Sequence, residues 1–143
     1  MKKQKIDWII ELVGNCTCDV CGCAETRFLP YMCNAHTHGM ERYGHLDFQM
    51  VLALPLEEIM RILNTLGLRV QSGERFSPGD MVSGIYEDCD VRLDEYEENG
   101  RRVLRVIIPD ADNIFPEDAS CKAPYCLQLM KTEDLCVERG LPS

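Results

Sequence analysis

A chain of 143 residues, 45% hydrophobic and 27% charged, is long enough to bury a core in one domain without cross-links and lies outside the disordered regime. Its formal net charge of -9, concentrated in residues 87–98, 110–118 and 133–138, repels phosphate backbones and argues against a nucleic-acid partner. No run reaches the roughly 20 apolar residues that cross a bilayer, and Asp7 and Glu11 interrupt what would have to be a signal core, so a cytoplasmic protein without a membrane partner is expected.

Residues 3–13 place Ile6, Ile9, Ile10 and Val13 at helical spacing ahead of Gly14-Asn15, which predicts an amphipathic N-terminal helix with Trp8 docking its flank. The next stretch, Asn15 to His38, holds five of the nine cysteines and two of the three histidines. Residues 16–23 are dense in turn formers and have no apolar period, so a loop is expected whose shape comes from something other than hydrophobic burial. Residues 28–37 look extended. Residues 46–54, L-D-F-Q-M-V-L-A-L, begin by alternating and end as an apolar run, the pattern of a central strand.

Pro55 suits a first helical position, and Glu57 and Glu58 complement the positive end of the helix dipole. Leu56, Ile59, Met60, Leu63, Leu66 and Val70 then form one apolar stripe, predicting a helix from Pro55 to Gln71 that stops at Gly73, with Gly67 as an earlier possible end. Further on, Asn99-Gly100 is a strong two-residue hairpin signal and fixes the register around it. Glu98 then faces Arg101, Tyr96 faces Val103, Asp94 faces Arg105 and Leu93 faces Val106. Val91, Leu93, Leu104, Val106 and Ile108 share the expected core face, with Arg92, Asp94, Val103 and Arg105 on the other. Residues 125–130 read as a last short strand, and Thr132-Glu133-Asp134 as the cap of a helical turn through Cys136.

These elements predict one α+β domain over residues 1–143. An N-terminal helix and Cys-rich loop (1–27) precede an α+β core (28–130) and a C-terminal tail (131–143). The core is an antiparallel or mixed sheet with a central hairpin and a helix packed on one face.

The motifs Thr37-His38-Gly39-Met40, Gly44-His45-Leu46-Asp47, Leu63-Asn64, residues 70–76 (V-Q-S-G-E-R-F), Pro78-Gly79-Asp80 and residues 124–129 (P-Y-C-L-Q-L) form an ordered series. In that order and spacing the chain resembles the uncharacterised bacterial family DUF4262 over residues 31–130. Leu46 and Asp47 stand where the family tends to have Pro and Glu, and His38 where an aliphatic residue is usual. The resemblance implies a compact mixed α and β domain and no particular activity.

Thiolate and neutral imidazole bind zinc through geometry-defining bonds, and the chain supplies three ligand sets for one ion. In one, Cys18 and Cys21 pair with Cys33 and His36 in a closed, structural tetrahedron. In another, the loop alone binds through Cys16, Cys18, Cys21 and Cys23. In the third, Asn34, His36 and His38 point to one side of a strand, Cys33 faces away, and the two imidazoles with a loop thiolate leave a position open for water. Glu41, His45 or Asp47 would then serve as the base of a zinc-dependent hydrolase. Thiols without metal, free or redox-active, are the alternative. A structural zinc ion in a protein of undefined activity is the expectation; homo-oligomerisation, a protein partner and a small-molecule ligand are left open by the sequence.

Overall fold

The computed structural model describes residues 6–14, 26–29, 31–98 and 100–138. In chain order the elements are β1 (Ile9–Gly14), β2 (Thr26–Phe28), β3 (Met32–His38), β4 (Asp47–Leu52), α1 (Leu56–Gln71), β5 (Met81–Val82), β6 (Val91–Glu98), β7 (Arg101–Ile107), α2 (Thr132–Leu135) and β8 (Cys136–Glu138). Short 3-10 helices at Met40–Tyr43 and Tyr125–Leu129 complete the set.

Six strands form one mixed sheet in the order β1-β3-β4-β7-β6-β5, while β2 and β8 pair separately. Every neighbouring pair in the large sheet is antiparallel except β4 and β7, which run parallel with Phe48 opposite Leu104 and Gln49 opposite Arg105. The β6–β7 hairpin has Glu98 opposite Arg101, Tyr96 opposite Val103 and Leu93 opposite Val106, the register that a two-residue turn at 99–100 dictates; Gly100, at φ 80°, takes the left-handed conformation such a turn needs. The hairpin joins the sheet through β7, so the sheet centre is the parallel β4–β7 pair.

Helix α1 buries Ile59, Leu63, Leu66 and Val70 of the predicted stripe, with Ile62 beside them, and these join Phe48, Met50, Leu93, Leu104 and Val106 in one core; Leu56 and Met60, also expected in the stripe, are exposed at the rim of that contact. The helix runs through Gly67 without a break, and Trp8 lies against that glycine. A β-carbon there would stand 2.5 Å from the Trp8 ring, whose indole nitrogen donates to Asn64 Oδ1 at 2.9 Å.

The expected N-terminal helix is corrected. Residues 9–14 are an edge strand, with Ile9 opposite His38 and Glu11 opposite His36. The isoleucine spacing fits a helix, but the open backbone of β3 offers Ile9–Gly14 a ladder of hydrogen bonds, and Ile9-Ile10 are β-branched. Trp8 does dock on the body, from the residue just before this strand. The extended stretch expected over residues 28–37 is divided: β2 pairs with β8, the chain turns at Tyr31 with φ 66°, and β3 follows.

Residues 125–130 form no strand. A 3-10 helix stands there, and the side-chain amide of Gln128 takes the place of strand pairing: it accepts from Ile108 N at 2.8 Å and donates to Ile108 O at 2.6 Å. This segment and α2 cover the middle of the sheet face opposite α1. Val103 and Arg105, expected on a non-core face, are therefore fully buried.

Candidate metal centre

Strand pairing builds the site. On β3 alternation puts Asn34, His36 and His38 on the face away from α1, and the β1 register sets Glu11 beside His36. Nε2 of His36 and Nε2 of His38 stand 3.1 and 3.0 Å from the same Glu11 oxygen, Oε1, and the two rings meet edge to face at 4.7 Å between centroids. All three donor atoms lie within 4.8 Å of one another, the one such group of three His, Cys, Asp or Glu residues among the described residues. Zinc bonds of about 2.0–2.1 Å set tetrahedral ligand atoms about 3.4 Å apart, so the two nitrogen–oxygen distances need to open by only a few tenths of an ångström.

His36 is buried, whereas the His38 side chain is 39% and the Glu11 side chain 56% exposed, so the group opens to solvent at the sheet rim. A hydrogen bond from His38, foremost, holds the Glu11 carboxyl below the usual carboxylate range, which keeps it anionic and ready to face a cation. Behind His36, its Nδ1 stands 3.1 Å from Asn34 Oδ1. One carboxylate and two imidazoles form a donor set suited to zinc or to another borderline divalent metal, with positions to spare for water or substrate.

None of the other predicted ligands joins this group among the described residues. Cys16, Cys18, Cys21 and Cys23 lie outside the described residues. Cys33 sits on the α1 face, where its thiol donates to Leu52 O at 3.5 Å and burial pushes it up to about 12. The strand thus turns Cys33 and His36 to opposite faces and does not bring them together as one half of a closed site; a thiol so poised is a poor ligand at neutral pH.

Of the expected bases, His45 and Asp47 are committed to other partners. His45 Nε2 accepts from Phe76 N at 3.0 Å, which leaves Nδ1 as the donor to Leu46 O at 2.8 Å and pins the ring between Phe48 and Phe76. Asp47 accepts from Thr37 Oγ1 at 2.8 Å, Met40 N at 3.1 Å and Arg101 Nη1 at 2.7 Å, tying β3 to the following turn and to β7. Glu41 is exposed on the Met40–Tyr43 turn.

The later cysteines and the acidic loop are structural in their surroundings. Cys121 donates to Ile114 O at 3.3 Å, and burial pushes its thiol up, as it does that of Cys89. Asp110 accepts backbone N–H bonds from Asp112, Ile114 and Lys122, closing the loop over residues 110–122 on itself.

Glu11 is the site residue that sequence reasoning missed. Residues 9–13 carry no alternating signal for it, since Ile9, Ile10, Leu12 and Val13 are all apolar; only the pairing of β1 with β3 brings Glu11 to His36.

Fold and site together define an α+β protein with a mixed six-stranded sheet and a carboxylate–bis-histidine group at its rim. Comparisons with protein-family models, curated proteins and solved structures return no match to this chain. Among the described residues, no helix is long and apolar enough to cross a membrane.

Proposed function

We propose that the chain binds a zinc ion through Glu11, His36 and His38. The observation that carries this reading is the convergence of two imidazole nitrogens on a single carboxylate oxygen at 3.1 and 3.0 Å, on strands whose pairing holds all three in register. Three protein ligands leave at least one position for water, the arrangement of a metal centre open to exchange rather than a closed structural tetrahedron. Hydrolytic work would also call for a base beside the bound water. Of the three candidates from sequence, His45 and Asp47 are held by other partners and Glu41 is exposed on the Met40–Tyr43 turn, so the proposal is of metal binding and not of a reaction.

Calorimetric titration of the metal-free protein with zinc is the test. Wild type should take up zinc, and Glu11→Gln, His36→Ala and His38→Ala should each weaken binding, at least 10-fold for a lost ligand, while remaining folded by circular dichroism. Zinc uptake unaffected by these three substitutions would assign binding to the cysteines of residues 16–23 and reject this site.

A further inference from the structure

Arg105 is a fully buried cation with no ion pair among the described residues. Burial pushes its guanidinium down to about 10, still well above neutrality, so it carries its charge inside the protein. It lies over the Tyr96 ring, 3.6 Å from the centroid, and donates to the carbonyls of Gln128 and Met130 and to Thr132 Oγ1. Its remaining partner lies on the next strand. Arg105 Nε donates to Gln49 Oε1 at 2.8 Å.

That bond orients everything beyond it. Register places Glu11, His36, Gln49 and Arg105 in one row across four strands, with Asn34 beside His36 on β3. A guanidinium only donates, so Gln49 must turn its oxygen to Arg105 and its nitrogen to Asn34. Gln49 Nε2 donates to Asn34 Oδ1 at 3.0 Å and to Thr132 Oγ1 at 3.2 Å, using both its hydrogens. Asn34 therefore presents its oxygen, an acceptor, to His36 Nδ1 at 3.1 Å. His36 must donate there. Its neutral form then has a bare lone pair on Nε2, aimed at the Glu11 carboxylate 3.1 Å away. Two acceptors face each other at that point and call for a positive particle between them.

We infer that Arg105 is a positioning residue that, through Gln49 and Asn34, locks His36 in the Nδ1–H tautomer and so makes Nε2 the metal-ligating atom. The last clause rests on the metal site proposed above; the lock itself does not. Outer-shell partners that fix a ligating imidazole in this way change metal affinity about 10- to 100-fold when lost.

Two substitutions that add the same negative charge separate the lock from simple electrostatics. In Gln49→Glu, a carboxylate accepts from Arg105 and also faces Asn34, so Asn34 turns its NH2 group inward and His36 Nδ1 must accept. The proton moves to Nε2. In Asn34→Asp, the carboxylate accepts from both Gln49 and His36, and the original tautomer stays. Coulombic attraction alone predicts that both variants bind zinc more tightly. The lock predicts about a 10- to 100-fold weaker affinity for Gln49→Glu and no weakening for Asn34→Asp.

The second readout is 15N NMR of the neutral His36 ring in metal-free protein, expected to show Nδ1–H in wild type and Asn34→Asp and Nε2–H in Gln49→Glu. An Nδ1–H ring in Gln49→Glu, or zinc affinity there equal to or above wild type, would overturn the inference. Should wild type bind no zinc yet show these tautomers, the metal reading fails while the lock stands, so the two failures are told apart.

Discussion

Gly67→Ala sets two known effects against each other at one position. In an exposed helix, replacing glycine by alanine favours folding by about 1 kcal/mol, because the unfolded chain loses freedom. At residue 67 the new methyl would lie 2.5, 2.7 and 3.0 Å from three atoms of the Trp8 indole. Carbon atoms at van der Waals contact stand about 3.5–4.0 Å apart, so the overlap is about 0.5 Å or more at each of them. Relief requires the indole to move. It is buried, and its nitrogen is tied to Asn64 on the same helix. Overpacking of this kind costs about 1–3 kcal/mol, and losing the Trp8–Asn64 bond adds about 1. The net expectation is a loss of about 1–3 kcal/mol, read as a lower urea midpoint at unchanged m. Trp8 is the one tryptophan in the sequence, so its fluorescence should also redshift in the folded state of the variant. A Gly67→Ala protein as stable as wild type or more so, with an unshifted emission maximum, would refute the packing argument.

Three further outcomes follow from the described contacts. Backbone N–H bonds, that of Lys122 foremost, hold the Asp110 carboxyl below the usual range, as the Arg92 side chain does for Glu117. A depressed folded-state value means that the stabilisation is complete above the unfolded-state value of about 4 and is lost as pH falls through the lower folded one. Thermal midpoints should therefore hold from neutrality to about pH 4 and drop below it, with a shallower acid drop in Asp110→Asn; an identical acid limb in that variant would remove Asp110 from the account. Cys33, with its thiol pushed up to about 12, should resist iodoacetamide at pH 7.5 in native protein and react after denaturation, as read by peptide mass spectrometry. Cys33→Ala should likewise leave zinc affinity unchanged, and a weakened affinity would return the thiol to the ligand set.

Elements whose signal is local were readable from sequence. The α1 stripe needs only its own period, and Asn99-Gly100 fixes the β6–β7 pairing within two residues. The common side of His36 and His38 followed from alternation alone. What escaped depends on partners far along the chain. Ile9–Gly14 carries a helical spacing and becomes a strand because β3, whose paired residues lie 19 to 29 positions further on, has a free edge; with that strand goes Glu11. Gln49 sits as the polar interruption of an apolar run, and Arg105 looks like the outward residue of a hairpin. Both are interior because the segment ending in α2 returns over the sheet and supplies Gln128, Met130 and Thr132 to Arg105. No periodicity encodes that return.

The strand order also grades how tightly each part of the site is held. Amides along β4 and β7, flanked on both sides, should exchange with solvent only when the whole domain opens, whereas β1 lies at the end of the order and can peel away alone. Glu11 rides on that loose strip while both imidazoles ride on the next one in. An ion gripped by all three would staple the rim to the interior, so deuterium uptake along residues 9–14 should slow on adding zinc while the sheet centre keeps its pace.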